Sequence, residues 1–235
     1  MRSLFDRGDL REFKRMKKLE YLDENLKIYQ DDDYYTFTSD SILLSRFAAV
    51  KRGDVVADFC AGCGVVGFNL YALNPDKISS VTFFELQKPL LSLCEENIAL
   101  NGLSDKFFAV SGRVQDISKE YYGKFSLIVC NPPYAKKDSG EKSPSETLAV
   151  AKSESALELR ELLFIMSRAL KFGGRVNFVH RADRLAEIFS LMKEFKIEPK
   201  KLCPVAAKGK EPYLVLIEGV KGGRAGLKFL KTIYN

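Results

Sequence analysis

The stretch from Val55 to Leu73 constrains the fold more than any other part of the chain. Val55-Val56-Ala57-Asp58-Phe59-Cys60 is a short apolar run that reads as a buried strand. It enters a glycine turn, Gly62-Cys63-Gly64-Val65-Val66-Gly67, and Phe68-Asn69-Leu70-Tyr71-Ala72-Leu73 then reads as a helix closed by Asn74-Pro75-Asp76. A strand that feeds a helix through a tight glycine turn is the first half of a β-α-β unit, which calls for a parallel neighbour.

The rest of the chain supplies those neighbours. Val81 to Leu86 is the next strand, Pro89 to Leu100 a helix closed by Asn101-Gly102, and Phe107 to Val110 and Phe125 to Cys130 two further strands. A long helix is expected from Glu154 to Phe172, stopped by Gly173-Gly174. A strand follows from Arg175 to His180, a helix from Asp183 to Phe195, and strands from Ile197 to Val205 and Tyr213 to Ile217. Strands alternating with helices predict an α/β, Rossmann-like doubly wound sheet of seven strands with helices on both faces. Between the last two strands there are too few residues for a parallel crossover, so the last strand is expected to be antiparallel.

The N-terminal part differs in character. Leu10, Phe13, Lys14, Lys17 and Tyr21 fall at helix-like spacing and predict a partly amphipathic helix, followed by an acidic turn at Asp31-Asp32-Asp33. Thr38-Ser39-Asp40 precedes Ile42 to Ala48 as a helix N-terminus. We read residues 1–34 as an N-terminal extension and 35–235 as the main domain, with a polar, flexible substrate loop at about 135–150.

Composition bounds the partners. The 37 basic and 31 acidic side chains leave a net charge of +6, and the lysines and arginines cluster towards both ends of the chain. Two basic ends favour a polyanionic partner. No apolar run is long enough to span a bilayer and no signal peptide is visible, so a cytoplasmic protein is expected. The sequence does not set the oligomeric state, for which a monomer is favoured. Cys60 and Cys63 form a C-x-x-C, but a second ligand pair is missing and His180 is the single histidine, so no metal site is expected.

Two sites carry chemistry. Gly62-x-Gly64-x-x-Gly67 with Glu85 at the end of the next strand matches a dinucleotide fingerprint. Asp58 shifts that reading towards S-adenosylmethionine. A carboxylate there would lie close to an anionic pyrophosphate, whereas it suits a cationic sulfonium and ammonium. Glu85, with Leu86 beside it, is placed to accept from a ribose diol.

The second site is Asn131-Pro132-Pro133-Tyr134, where the strand ending at Cys130 must stop because proline cannot donate to the ladder. That strand ends beside the first in a doubly wound sheet, so Asn131 belongs at the edge that carries the glycine loop. The Asn131 side-chain oxygen and the Pro132 carbonyl can accept from a planar NH2 group and favour a more tetrahedral, more nucleophilic nitrogen. Tyr134 offers a face for a base to stack on.

Asp58-x-x-x-Gly62-x-Gly64, Glu85 and Asn131-Pro132-Pro133-Tyr134, in that order, resemble the class I S-adenosylmethionine-dependent methyltransferases that act on planar amide or amine nitrogens. The resemblance covers about residues 35–220. Ile28-x-Gln30, Phe37, Asp40-Ser41-Ile42-Leu43-Leu44, Ala151-Lys152-Ser153-Glu154, Arg181 and Arg184 are similar to the bacterial tRNA (adenine-N6) methyltransferases, which modify adenosine 37 beside the anticodon of a valine tRNA. That resemblance implies a seven-stranded methyltransferase sheet, a cofactor pocket lined near Asp40, and tRNA as partner. Where related enzymes carry Gly-Asp after the third strand, this chain has Gly112-Arg113, so Asp116 or backbone groups are expected to meet the cofactor adenine.

The tetrapeptide does not separate adenine from glutamine. A protein glutamine N5-methyltransferase of the release-factor type uses the same clamp, but it carries a substantial helical domain before the glycine loop. DNA adenine and ribosomal RNA guanine methyltransferases need more sequence than is present. A nicotinamide oxidoreductase and a catalytically silent RNA-binding module complete the alternatives.

Overall fold

The computed structural model describes residues 17–22, 26–31, 39–133 and 158–235. The chain opens on a hairpin of β1 (Lys17–Leu22) and β2 (Leu26–Asp31). Helix α1 (Ser39–Phe47) follows, then β3 (Asp54–Phe59), α2 (Val65–Ala72), β4 (Ile78–Glu85), α3 (Lys88–Leu100), β5 (Phe107–Ser111) and β6 (Phe125–Cys130). The C-terminal half contains α4 (Leu159–Ala169), β7 (Leu170–Arg181), α5 (Leu185–Glu194), β8 (Ile197–Ala206), β9 (Leu214–Lys221), β10 (Lys228–Phe229) and β11 (Ile233–Tyr234).

The main sheet runs β10-β8-β9-β7-β6-β3-β4-β5, with β11 also on β8. Its central pairs are parallel, and β9 is antiparallel to both β7 and β8, as expected for the last strand of the core. The sheet has nine strands rather than seven. The additional two are two-residue strands, Lys228–Phe229 and Ile233–Tyr234, too short to leave a periodic signal.

Alternation along the strands divides the core. Val56, Leu127, Val129 and Val179 face one side and pack with residues of α1, α2 and α3. Ala57, Ile128, Cys130, Val176 and Phe178 face the other and pack with α4 and α5. Both faces are covered, which is why β6 is buried at every position.

Two expectations need correction. Lys17 to Leu22 is a strand, not part of a helix; the residues before Lys17 lie outside those described. Its pairing with β2 is favoured because β2 is held along its other edge by α3. Asn97 Oδ1 accepts from Tyr29 N–H at 2.6 Å and its Nδ2 donates to Tyr29 O at 3.1 Å. Asn101 does the same for Lys27, at 2.9 and 2.7 Å. Four helix residues, just over one turn, advance about 6.0 Å and two strand residues span about 6.6 Å, so asparagines four positions apart match alternate strand residues.

The long helix also ends earlier. It stops at Ala169, where Lys221 Nζ donates to Ser167 O at 2.6 Å and Leu170 O at 2.8 Å, occupying carbonyls the helix leaves open. Gly173 and Gly174 lie inside β7, where its register against β6 shifts, and Gly173 adopts φ +75°. The glycine pair accommodates an irregularity in a strand instead of terminating a helix. Residues 154–157 of the expected helix lie outside those described.

Candidate active site

The parallel strands β3, β4 and β6 end at one edge, and that edge gathers the predicted residues. Asp58 is next to last on β3, Glu85 is last on β4, and Asn131 follows the end of β6. Register places Phe59 opposite both Phe84 and Cys130, so the glycine loop stands between Glu85 and Asn131.

Two carboxylates shape the loop. Asp58 Oδ2 accepts from Gly67 N–H at 2.8 Å, tying the strand end to the first turn of α2. Glu85 Oε2 accepts from Gly62 N–H and Oε1 from Gln87 N–H, each at 2.8 Å. The three glycines serve different ends. A Cβ on Gly67 would lie 2.5 Å from the Phe83 ring, and one on Gly64 would lie 2.8 Å from Phe68. Gly67 lets α2 pack closely on β4, whereas Gly64, at φ +93°, turns the chain into α2 and leaves room for Phe68 of that helix and Cys94 of α3. Gly62 has φ +58° and open space where its Cβ would be, so it supplies a left-handed turn with a bare outer face.

Electrostatically the site holds more negative charge than its partners neutralise. Asp58 is fully buried, and its Oδ1 has no hydrogen-bond partner among the described residues. Burial, and secondarily the charge of Glu85, raise its pKa from 3.8 to about 7, against the opposing bond from Gly67. Burial also raises the Glu85 pKa, opposed by its backbone hydrogen bonds. A cationic group at this loop would relieve both carboxylates. The residues therefore fit S-adenosylmethionine: Asp58 as a buried counter-charge, Glu85 as acceptor for a diol, and the Gly62 face for close approach. Leu86, 45% exposed beside Glu85, offers apolar cover.

Other predicted residues are placed as follows. Asp40 is buried in the first turn of α1. Asp116 lies in a short 3-10 turn, exposed, with Oδ2 3.8 Å from Arg113 Nε. Gly112, just before that turn, donates its N–H to Glu85 O at 3.0 Å, so the backbone here is bound to the strand that carries Glu85. Pro132 is buried, and Tyr134, the 135–150 loop, Phe37 and residues 151–154 lie outside the described residues.

Sequence reasoning missed the role of Ser41. Its Oγ accepts from Asn131 Nδ2 at 3.0 Å. The signal lay in α1, whose buried face carries Asp40, Ser41 and Ser45 beside Leu44 and is unusually polar for a helix packed on a core.

The remaining candidates have structural partners. Cys60 and Cys63 point to different neighbours: the Cys60 thiol meets Cys130, and Cys63 lies near Cys94. Among the described residues no group of three or more His, Cys, Asp or Glu is arranged to hold a metal. His180 is buried at the end of β7, accepts from Arg181 N–H at its Nδ1, and has its pKa lowered to about 4, chiefly by burial. Arg181 pairs with Asp183 and Arg184 with Glu187. Within the basic C-terminal part, Lys201 pairs with Glu218 and Lys221 caps α4, while Lys208 and Lys210 are exposed in the turn after β8. No helix among the described residues is long and apolar enough to cross a membrane.

A family profile of the methyltransferase small domain matches residues 38–195, from the start of α1 to the end of α5. The chain belongs to the methyltransferase small domain family. Similar relatives include a tRNA1(Val) (adenine(37)-N6)-methyltransferase of Shewanella putrefaciens, 26% identical over 163 residues. The match covers 68% of this chain and 66% of that relative, just under two thirds of its length. Among solved structures, a predicted O-methyltransferase from Agrobacterium tumefaciens superposes with a TM-score of 0.65 at 19% identity, over 83% of this chain and 86% of that one. M. jannaschii TYW2 in complex with AdoMet gives 0.61 at 13% identity, over 88% and 86%. These structural likenesses show a methyltransferase fold.

Proposed function

We propose that this protein is an S-adenosylmethionine-dependent methyltransferase acting on the exocyclic N6 of adenine in tRNA, with adenosine 37 of a valine tRNA as its target. The observation that carries the reading is the position of Asn131. Its amide nitrogen is bound by Ser41, and its oxygen is left as an acceptor at the edge where the glycine loop stands. The relatives' names supply the RNA, the base and the position, and the basic side chains of the chain are consistent with a phosphate backbone.

Bound at the loop, S-adenosylmethionine supplies a methyl group on a positively charged sulfur. The protein's part is positioning. Asn131 Oδ1 and the Pro132 carbonyl accept from the target NH2, drawing its lone pair out of conjugation with the ring. Prolines 132 and 133 hold that carbonyl in place, and Tyr134 stacks on the base. Asp58 and Glu85 fix the loop and favour a cation beside it. His180 is buried at the end of β7 with its pKa lowered to about 4, and this scheme gives it no role. The base must leave its stack to reach the clamp.

The test is transfer of labelled methyl to total tRNA from a strain lacking the gene, followed by nucleoside mass spectrometry. N6-methyladenosine in a valine tRNA is expected, and Asn131→Ala should reduce its formation to a small residual rate while cofactor binding is retained. Label on a glutamine of a release factor, with none on tRNA, would overturn the substrate assignment and leave the clamp.

A further inference from the structure

We infer that Ser41 is a positioning residue for Asn131: its hydroxyl tethers the amide so that Oδ1, not Nδ2, faces the acceptor nitrogen. The activity part of this inference rests on the methyltransferase reading; the tether itself does not.

An asparagine amide has two nearly isosteric orientations, and they are opposite in chemistry. With Oδ1 towards the substrate it accepts from NH2. With Nδ2 towards it, two donors face each other and the clamp fails. In the structure Nδ2 donates to Ser41 Oγ at 3.0 Å, and Oδ1 accepts no bond among the described residues. Ser41 is only 4% exposed, so the hydroxyl end of the contact is buried, while Asn131 is half-buried.

The tether also stands on a fixed base. Ser41 lies in the first turn of α1, one residue from Asp40, and α1 is held at both ends. Asn235 Nδ2 donates to Ser39 Oγ at 2.6 Å at its start. Ser45 Oγ accepts from Asn69 Nδ2 of α2 one turn later. Asn131 itself follows β6, a strand buried at every position. A hydrogen bond between two anchored elements restricts the amide more than a bond to a mobile partner would.

Two readouts test the inference. The first is independent of the methyl acceptor. The Asn131 side-chain NH2 signal, identified in a nitrogen-15 spectrum by its loss in Asn131→Ala, should exchange slowly with water in the native protein and faster in Ser41→Ala. The second is rate. Ser41→Ala should lower kcat by about tenfold, the order expected for loss of one neutral hydrogen bond, with cofactor affinity unchanged. Ser41→Thr, which keeps the hydroxyl, should recover most of it. Added to Asn131→Ala, the Ser41→Ala change should cost nothing further, since both act through one group. Equal exchange in Ser41→Ala and native protein overturns the tether. An undiminished Ser41→Ala cost in the Asn131→Ala background assigns Ser41 a merely structural role and overturns the inference. If the native protein leaves RNA unmethylated, the RNA reading falls while the exchange measurement still decides the tether.

Discussion

Glu85 Oε2 accepts from Gly62 N–H at 2.8 Å, so the carboxylate that ends β4 reaches across to hold the loop that follows β3. The same side chain is thus both a ligand candidate and part of the scaffold. Each carboxylate oxygen has a second lone pair, so the backbone bonds and a diol can be accepted together.

Glu85→Gln tests this double use. The amide keeps one acceptor oxygen and replaces the other with a donor that faces an N–H. S-adenosylmethionine affinity should fall about 10- to 100-fold, in line with roughly 1.5–3 kcal/mol for a hydrogen bond to a charged group. Isothermal titration measures it. An unchanged Kd would exclude Glu85 from the cofactor site.

Asp58 links cofactor binding to pH. Its folded-state pKa is raised from 3.8 to about 7, so the native state binds this proton more tightly than the unfolded chain does. Its contribution therefore favours folding below about pH 4 and is lost as pH rises towards about 7. Asp58→Asn removes the buried charge and should raise stability above pH 7 by about 1–4 kcal/mol, read in chemical denaturation. The functional sign is opposite. Ionised Asp58 attracts a cation, so S-adenosylmethionine affinity should rise with pH through about 7 in the native protein and stay flat in Asp58→Asn. A native affinity that does not vary between about pH 5 and pH 8 would remove the counter-charge role.

What the sequence made legible is what local chemistry determines. The runs at Val55, Val81 and Phe125 are apolar because those strands are buried on both faces. Asp58, Glu85 and Asn131 could be placed together because polar residues at the ends of such runs fall at one sheet edge. The missed features depend on distant partners. Lys17 to Leu22 has only Leu22 buried, and its spacing suits a helix as well as a strand; its pairing with β2 is fixed by asparagines of α3 far along the chain. The Ser41–Asn131 bond spans 90 positions, so no local pattern announces it. The Gly173-Gly174 pair suits a helix stop and a strand irregularity equally, because the two share one composition.

Asn97 should couple the hairpin to the cofactor loop. Its buried amide serves Tyr29 N–H and O and also donates to Cys63 O at 3.1 Å. Asn97→Ala leaves all three backbone groups without this partner. A loss of about 2–4 kcal/mol is expected, from unsatisfied groups at about 1–3 kcal/mol each with partial relief by water. Hydrogen exchange should show the Tyr29 amide losing protection, together with Gly64 and its neighbours. Protection lost at Tyr29 alone would mean that the hairpin is docked without reaching the loop.

The opposite edge of the sheet offers a test of what holds the strands together. Arg175 on β7 reaches past β6 to Asp54 at the start of β3, at 2.7 and 2.6 Å to its two oxygens, and also binds Ala49 O. Ser126 of the intervening β6 donates to Asp54 Oδ1 at 2.7 Å and accepts from Val55 N–H, so the pair is enclosed in a hydrogen-bonded set. Both charges are buried. Removing one leaves the other uncompensated, so Arg175→Met should cost about 3–5 kcal/mol. Removing both, in Arg175→Met with Asp54→Leu, should cost less than the single change, because the desolvation of the remaining charge disappears with it. Denaturant titrations of the two single variants and the double close the cycle. A double variant less stable than either single would show that the hydrogen bonds to Ala49, to Ser126 and from Lys51 N–H to Asp54 Oδ2 (2.7 Å), and not the charge pair, stabilise this edge.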